Sequence, residues 1–324
     1  MQTKAQANPA DLISLLKAGG RRVFIQAHNF PDHDAVAAGF ALQYWLQHFG
    51  INAPLIYDGE IERTSLRLMI AELGIPIQQC RERDLHEQDY IVLIDGCKGN
   101  KNVTDLIGEE VAVIDHHETH SPEDVRYVDI RPDFGSSCTV IHTYYQSQGL
   151  EIPQQIATAM LIGLNLDTAL MTRGVSPADI DAYADLYRRA NISLVNSILR
   201  NQVQTRDLAF YRHAIDSIQI TNRFAFCYFP QGCNQNLLGI LGDFLLALEE
   251  VDFVCLCAQN EKRVNFSLRS ERDDWNAARI IQSVLAGVGF GGGHKEMAGG
   301  LIPNAALFDP RKIEQAFLRE LNII

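Results

Sequence analysis

Short apolar runs alternate with longer amphipathic stretches along the first half of the chain. Residues 23–27, 90–94 and 111–114 have the length and composition of buried strands. Residues 35–49 have the pattern of a helix that Gly50 would stop. Strands that alternate with helices in this way form a parallel sheet with helices on both faces. The first half of the chain is therefore predicted to be an α/β domain of this kind.

Helical patterns dominate the middle of the chain. Residues 136–148, 153–167 and 177–190 are predicted helices, and Ser176 is a suitable N-cap for the last of them. The polar stretch 201–207 follows and is predicted to connect two domains.

Strand patterns return after this connection. The pattern predicts a strand at 214–221, further strands and helices, and a glycine-rich turn near residues 289–293. We therefore predict an N-terminal domain at residues 1–200, a linker at 201–212 and a smaller C-terminal α/β domain at 213–324.

Composition limits the classes of partner. The 324 residues, 47% of them hydrophobic, suffice for two domains. A formal net charge of −12 disfavours a long electrostatic track for nucleic acid, because such binding depends on Lys and Arg contacts to phosphates. A small phosphorylated substrate remains compatible with this charge, and the oligomeric state stays open, with a homodimer as one option.

Neither a membrane segment nor a disulfide framework is expected. No apolar run reaches the roughly 18 residues that span a bilayer, and residues 1–8 lack the apolar core of a signal peptide. We therefore expect a cytoplasmic protein without a membrane partner. The seven cysteines form no Cys-x-x-Cys pair and are expected to be buried free thiols.

Acidic and histidine residues follow the predicted strands. Ligands of such sheets bind beyond the carboxyl ends of the strands. Mn²⁺ and Mg²⁺ favour oxygen ligands and accept imidazole, and a pair of ions about 3.5–4 Å apart is the usual device for phosphoryl transfer. The residues that predict such a pair are His28, Asp32, Asp34, Asp95, the triplet Asp115-His116-His117, and Asp167 at the end of a predicted helix.

Each motif has an ordinary explanation when taken alone. An Asp-x-Asp loop such as 32–34 usually forms a turn or caps a helix, and Asp95 could cap the helix after it. The triplet could be a solvated turn, although adjacent imidazoles leaving a buried strand are costly to hold without partners. Their coincidence at strand ends favours a metal site. The remaining histidines are expected to be surface or packing residues: His33, His48, His86, His120, His142 and His213.

A glycine cluster in the second domain is a candidate anion site. Gly291, Gly292 and Gly293 precede His294, and their amides would suit a phosphate, especially where a helix begins. A flexible loop has the same composition. His294 and Arg269 can both donate to phosphate, which favours the anion site.

In their order along the chain, these motifs resemble the DHH phosphoesterase superfamily with its associated C-terminal domain. The resemblance runs from about Gln26 to Leu301. It rests on the triplet together with the other acidic and histidine residues above, Ser267-Leu268-Arg269-Ser270 and Gly291-Gly292-Gly293-His294. The compact length is similar to the nanoRNase and 3′-phosphoadenosine 5′-phosphate (pAp) phosphatase type. His33, Ala37-Ala38 and Ala169 differ from the residues common in the superfamily, which leaves the substrate open.

The resemblance implies two divalent ions, Mn²⁺ first and Mg²⁺ as the alternative. One ion would be held by His28, Asp32 and Asp95, and the other by Asp34, Asp95, His116 and Asp167. His117 would contact the scissile phosphate or its leaving oxygen. Asp115 would orient one of the metal ligands without binding the ion itself. Substrate binding would fall to Arg269, Gly291, Gly292, Gly293 and His294.

The expected function is a manganese-dependent phosphoesterase that hydrolyses short oligoribonucleotides, pAp or both through two-metal activation of a bridging water. The alternatives within the superfamily are a cyclic-dinucleotide phosphodiesterase and a RecJ-like single-strand exonuclease, which should show a basic, aromatic-lined channel. The alternative of another class is a nucleotide sensor that binds without catalysis.

Overall fold

The computed structural model describes residues 7–61, 63–200 and 203–324. The chain divides into two compact units, Met1–Gln202 and Val203–Ile324, and each has its own sheet. Among the described residues, no helix combines the length and apolar character needed to cross a membrane.

Unit 1 contains a six-stranded parallel sheet, which confirms the predicted fold class. Its spatial order is β3-β2-β1-β4-β5-β6. The strands are β1 (Val23–Ala27), β2 (Leu55–Tyr57), β3 (Ile77–Gln79), β4 (Tyr90–Ile94), β5 (Glu109–Asp115) and β6 (Tyr127–Ile130). The longer strands have the predicted positions, whereas β3 and β6 are short and carry polar residues that hide them in the sequence.

Helices flank this sheet. They are α1 (Pro9–Gly19), α2 (His33–His48), α3 (Thr64–Leu73), α4 (Ser137–Gln148), α5 (Gln154–Asp167), α6 (Pro177–Arg189) and α7 (Ile192–Arg200). The predicted Ser176 cap is confirmed, since its side chain and Asp179 form a capping box. The apolar faces of these helices join one large core with one face of the sheet. Connecting segments around Cys97 and Val125 cover the other face. The prediction of helices on both faces is therefore wrong in this detail, because the described helices pack on one face.

Unit 2 contains a mixed sheet of order β11-β12-β10-β9-β8-β7, in which β8 and β9 are parallel and the other described pairs are antiparallel. The strands are β7 (Gln219–Thr221), β8 (Phe224–Phe229), β9 (Phe253–Asn260), β10 (Arg263–Ser270), β11 (Phe290–Gly293) and β12 (Met297–Ile302). The helices are α8 (Leu208–Ser217), α9 (Gln235–Leu246), α10 (Ala277–Val284) and α11 (Pro310–Glu320). The predicted α/β character of the second domain is confirmed.

The beginning of unit 2 differs from the prediction. Residues 201 and 202 of the predicted linker lie outside the described residues, and Thr205–Asp207 form a 3-10 turn. The strand predicted at 214–221 is wrong in its first half, because α8 continues to Ser217. Helical spacing brings Phe210, Tyr211 and Ala214 onto one core of this unit.

The predicted glycine-rich turn is also wrong, because the glycines lie in paired strands. Gly291 pairs with Gly300, and Gly292 pairs with Gly299, in an antiparallel hairpin. A Cβ atom on Gly291 would lie 2.7 Å from Cγ1 of Ile281, which belongs to α10. The glycines therefore let this helix pack closely on the hairpin.

The cysteine prediction is confirmed. All seven are free thiols, and all but Cys80 are buried. Cys255 and Cys257 contribute to the same core on one face of the second sheet, as their alternation predicted.

Candidate metal centre

Three adjacent strands of unit 1 deliver polar side chains to the same edge of the sheet. His28 follows β1, Asp95 follows β4, and Asp115 ends β5. These strands are neighbours and parallel, so their carboxyl ends lie together. Asp95 has a φ of 56°, a left-handed conformation that aspartate tolerates better than most residues.

The first group at this edge consists of His28, Asp32 and Asp95. One potential ligand atom of each lies within 4.8 Å of the others. His28 Nε2 lies 3.6 Å from Asp95 Oδ2. Its other ring nitrogen, Nδ1, lies 2.9 Å from the carbonyl oxygen of Asn29, which fixes the orientation of the ring.

Asp32 has the ordinary role of a cap as well as its place in this group. Its Oδ1 accepts hydrogen bonds from the amides of Asp34 (3.0 Å) and Ala35 (3.1 Å) at the start of α2. Burial alone would raise the pKa of Asp32, but the charges of His28 and Arg63 and the Ala35 amide outweigh it and lower the pKa. This carboxylate is therefore held ionised.

The second group consists of Asp34, His116 and Asp167, also within 4.8 Å of one another. His116 Nε2 lies 3.0 Å from Asp167 Oδ2 and 3.4 Å from Asp95 Oδ1. His116 Nδ1 lies 3.1 Å from the carbonyl oxygen of Phe134. The two oxygens of Asp95 thus face different histidines, Oδ2 toward His28 and Oδ1 toward His116.

A hydrogen-bonded pair, Asp115 and His117, stands beside these groups. Asp115 is fully buried, and its Oδ1 lies 2.8 Å from His117 Nδ1. The same oxygen accepts the amides of His116 (2.8 Å) and His117 (3.2 Å). Burial lowers the pKa of His117, but the hydrogen bond that His117 donates to Asp115 and the charge of Asp95 outweigh burial and raise the pKa to about 9. Its side chain is 38% exposed, so a protonated imidazole faces the outside.

Buried negative charge is concentrated at this edge. Burial raises the pKa of Asp95 to about 6, although the nearby histidines oppose the shift. Burial and the charges of Asp95 and Asp167 raise the pKa of Asp34 well above its usual range. Burial lowers the pKa of His116, but the hydrogen bond and charge of Asp167 raise it strongly. A divalent cation would relieve this repulsion, and the carboxylate and imidazole donors suit Mn²⁺ or Mg²⁺.

The structure adds residues that sequence reasoning missed. The amides of Ser137 and Cys138, at the start of α4, donate to Asp34 Oδ2 (2.6 Å) and Oδ1 (3.1 Å). Ser137 Oγ donates to Asp95 Oδ1 at 2.8 Å. Ser136 was a recognisable N-cap signal for α4, but nothing local indicated which carboxylate this helix start would face.

Close packing against α5 completes the surroundings of Asp34. A Cβ atom on Gly163 of α5 would lie 3.0 Å from Asp34 Cα and 2.9 Å from the sulfur of Cys138. Glycine at this position therefore lets α5 approach the start of both α2 and α4.

His33 was predicted to be either a surface residue or a packing residue. It is buried, so it is a packing residue. Only 2% of the residue is exposed. Burial and the charge of Arg63 lower the pKa of His33 to about 3. His142 is similarly buried and lies 3.1 Å from Asp185 Oδ2.

Arg269, a predicted substrate residue in unit 2, already has protein partners. Its Nε donates to Asp243 Oδ1 at 2.5 Å, and Nη1 donates to the carbonyl oxygen of Leu268 at 2.9 Å. Its side chain is 8% exposed, whereas that of Asp243 is 54% exposed. A Cβ atom on Gly239 of α9 would lie 3.0 Å from Arg269 Nη2, so this glycine makes room for the guanidinium group.

The predicted cradle at Gly291, Gly292, Gly293 and His294 does not open a helix. The glycines belong to β11, and the carbonyl oxygens of His294 and Lys295 accept the amides of Ala278 (3.2 Å) and Ala277 (2.8 Å) at the start of α10. Those helix amides therefore already have acceptors. Whether the hairpin or His294 binds substrate stays a prediction.

Two family models match the chain. Residues 22–164 match the DHH family, N-terminal domain, and residues 221–321 match the DHHA1 domain. All the proposed metal ligands except Asp167 fall within the first match.

Curated relatives are about a quarter identical to this chain over the aligned residues. An uncharacterised protein of Methanocaldococcus jannaschii is 26% identical over 87% of this chain and 58% of its own length. A probable manganese-dependent inorganic pyrophosphatase of Streptococcus mutans is 27% identical over 53% of this chain and 57% of its own length. The chain thus spans less than two thirds of the length of these relatives.

Solved structures share the fold. An exopolyphosphatase-related protein from Bacteroides fragilis aligns with a TM-score of 0.79 at 17% identity, over 99% of this chain and 98% of that one. RecJ from Thermus thermophilus in complex with Mn²⁺ aligns with a TM-score of 0.58 at 15% identity, over 97% of this chain and 54% of that one.

Proposed function

The chain belongs to the DHH phosphoesterase superfamily, as its DHH and DHHA1 domains show, and from this premise we propose that it is a manganese-dependent phosphoesterase. We propose short oligoribonucleotides, pAp or both as its substrates. The observation that supports the activity best is the pair of ligand groups that meet at Asp95.

We assign one ion to His28, Asp32 and Asp95, and the other to Asp34, Asp95, His116 and Asp167. Two groups of potential ligand atoms, His28-Asp32-Asp95 and Asp34-His116-Asp167, support this division, and a third, Asp95-His116-His117, overlaps both. The curated pyrophosphatase is described as manganese-dependent, which supports Mn²⁺ as the first choice, and RecJ from Thermus thermophilus is described with Mn²⁺ and with Mg²⁺, which keeps Mg²⁺ as the alternative. Such ions, when bound, lower the pKa of water and neutralise charge on a phosphate.

The protein's own groups have separate roles in this proposal. His117, with a pKa raised to about 9, is protonated near neutral pH and can donate a hydrogen bond to the scissile phosphate or a proton to its leaving oxygen. Asp115 holds the ring of His117 through Nδ1, so the other nitrogen is directed outward. Ser137 positions Asp95 through its hydroxyl group.

Substrate binding in unit 2 is assigned to Arg269, Gly291, Gly292, Gly293 and His294. The family membership supports this assignment, and the hydrogen bonds of Arg269 limit it. A phosphate that binds the guanidinium group has to compete with Asp243, whose side chain is half exposed and can turn away.

The test is a product profile. Purified protein with Mn²⁺ or Mg²⁺ is incubated with pAp, dinucleotides, longer RNA, cyclic dinucleotides and inorganic pyrophosphate, and products are separated chromatographically. Release of mononucleotides or phosphate that declines beyond a few nucleotides supports the proposal. Preference for cyclic dinucleotides, or undiminished activity on long single strands, would instead support the phosphodiesterase or the RecJ-like alternative.

An Asp95→Asn variant separates an enzyme from a sensor. Asparagine is nearly isosteric and also tolerates the left-handed backbone of residue 95, so the fold should survive. An enzyme should lose turnover in this variant. If the wild-type protein binds nucleotides but releases no product, the protein is a nucleotide sensor. The proposal that it is an enzyme would then be wrong.

A further inference from the structure

Phe30 projects from the loop that carries two of the proposed metal ligands. It lies two residues after His28 and two before Asp32, so its Cα is within roughly 7 Å of the Cα atoms of both. Phe30 is 57% exposed. Its φ is 53°, a conformation that bulky side chains rarely adopt and that the surrounding structure has to maintain.

The ring of Phe30 rests on a glycine. A Cβ atom on Gly59 would lie 3.1 Å from three carbon atoms of the ring, and Gly59 has a φ of 77°. Only a residue without a side chain lets the ring lie so close to the backbone. The rest of the ring faces solvent.

Hydrogen bonds hold both the loop that carries Phe30 and the turn that contains Gly59. The amide of Phe30 donates to the carbonyl oxygen of Asp58 at 3.1 Å, and the amide of Gly59 donates to Asp58 Oδ1 at 2.8 Å. Thr104 Oγ1 donates to Asp58 Oδ2 at 2.6 Å. Asn29 Nδ2 in turn donates to Thr104 Oγ1 at 2.9 Å. The backbone that carries the ring and the glycine beneath it are therefore held in place by the protein itself.

Core packing does not explain this arrangement. Phe30 belongs to neither hydrophobic core of unit 1. A single exposed aromatic residue is ordinary, but one held in a left-handed conformation over a glycine costs free energy without burying its ring. A ligand that covers the exposed part of the ring would account for the arrangement.

We propose that Phe30 is a stacking platform for a nucleobase of the substrate. This inference rests on the proposed function and adds a specificity residue to it. Every base has a flat face that can stack on an aromatic side chain, so the platform would favour nucleotides over inorganic phosphates with little preference among bases. Its position between His28 and Asp32 places it in the same short loop as two of the proposed metal ligands.

The experiment compares substrates with and without a base. Hydrolysis by wild type, Phe30→Ala and Phe30→Trp is measured with Mn²⁺ on a diadenylate and on the matched diribose phosphate that lacks bases. Loss of one stacked base should raise KM for the diadenylate by about 5- to 150-fold in Phe30→Ala, with kcat nearly unchanged. Phe30→Trp should restore KM. The control variant is Ile107→Ala, which should leave KM unchanged. Ile107 is also exposed and apolar, but it lies at the opposite end of the sheet.

Several outcomes would overturn the proposal that Phe30 stacks on a base. An equal rise of KM on the base-free substrate would mean that Phe30 only shapes the loop. Failure of Phe30→Trp to restore KM, or no effect of Phe30→Ala, would mean that the ring binds no base. A change of mass of Phe30→Ala in sedimentation would mean that a second copy of the chain covers the ring.

Failure of the proposed function would be visible separately. If wild type hydrolyses neither substrate, binding of adenosine 5′-monophosphate and ribose 5-phosphate is compared by equilibrium dialysis with Mn²⁺. A preference for the adenosine compound that disappears in Phe30→Ala would support the platform without the enzyme. Equal binding of both compounds by wild type would overturn it.

Discussion

Single carboxylates at the proposed metal centre accept hydrogen bonds from backbone amides and also stand among the proposed metal ligands. Asp32 caps α2 with one oxygen while it stands beside His28. Asp34 accepts two amides from α4, and Asp115 accepts two amides while it holds His117. A carboxylate has several lone pairs, so the capping role and the proposed ligand role do not exclude each other.

Metal binding should release protons. Without an ion, the charge of Asp167 raises the pKa of His116 well above its usual value, and the pKa values of Asp34 and Asp95 are also raised. An ion needs these ligand atoms unprotonated, so its apparent affinity should increase as the pH rises through about 6, the pKa of Asp95. Calorimetric titration with Mn²⁺ in buffers of different ionisation enthalpy measures both effects. An affinity that is independent of pH would contradict this prediction.

The Asp115→Asn substitution should shift the pH profile of hydrolysis. Asp115 is the main group that raises the pKa of His117 to about 9, so without its charge the pKa should fall toward the ordinary value. The protonated form is the proposed donor, and activity should therefore be lost at a lower pH on the alkaline side of the profile. The measurement is kcat against pH.

Asp185→Asn provides a matched control for this experiment. Asp185 lies 3.1 Å from His142 and forms a second Asp–His pair away from the centre. Its removal should leave the alkaline side of the profile in place. A profile unchanged in Asp115→Asn would argue against His117 as the proton donor.

At the scale of elements, the strand ends and the helix positions were predictable, but the carboxylate that each helix start contacts was not. Buried parallel strands are continuous apolar runs, so β1, β4 and β5 and the ligands that follow them could be identified from the sequence. The contact between Ser137 and Asp34 joins residues 103 positions apart, and no local pattern encodes it. Short β3 and β6 depend on pairing with their neighbours for the same reason.

The hairpin β11–β12 shows a different limit of sequence reasoning. Glycines suggest a loop because they favour no regular structure, but here the missing side chains allow α10 to pack on paired strands. The left-handed backbone of Phe30 was likewise invisible, because phenylalanine rarely adopts it.

Close packing of α5 on the first turns of α2 and α4 predicts a specific effect of Gly163→Ala. The added methyl group would lie 2.9 Å from Cys138 Sγ and 3.0 Å from Asp34 Cα, so α4 and α2 would have to shift. We expect a loss of about 1–3 kcal/mol in the free energy of unfolding and weaker Mn²⁺ binding. Denaturant unfolding and calorimetric titration measure the two quantities.

Gly39→Ala is the corresponding control on α2. Its methyl group would lie 2.5 Å from Leu55 Cδ1, in the core and away from the ligands. It should destabilise the fold with little change in metal affinity. Equal loss of affinity in both variants would mean that general stability, and not the position of Asp34, governs metal binding.

At the scale of the whole molecule, the two units have separate cores and the proposed metal ligands all belong to unit 1. A ligand stabilises the part that binds it, by about 2.7 kcal/mol at a hundredfold excess over its Kd. Scanning calorimetry with Mn²⁺ should therefore raise the unfolding temperature of unit 1 and leave a separate transition of unit 2 in place.

Asp95→Asn tests the origin of this stabilisation. The variant should abolish the shift because Asp95 is the ligand shared by both proposed ions. A shift that persists in the variant would place the stabilising ion elsewhere in the chain.

The backbone contacts around Asp34, His28 and His116 have a consequence for handling the protein. They orient donor atoms in advance, so any first-row divalent ion of suitable size would meet the same mixed nitrogen and oxygen environment. Such donors bind zinc and copper more tightly than manganese. The ion carried after purification would then reflect the supply in the growth medium, and stripping with a chelator before reloading would decide whether a preparation is active.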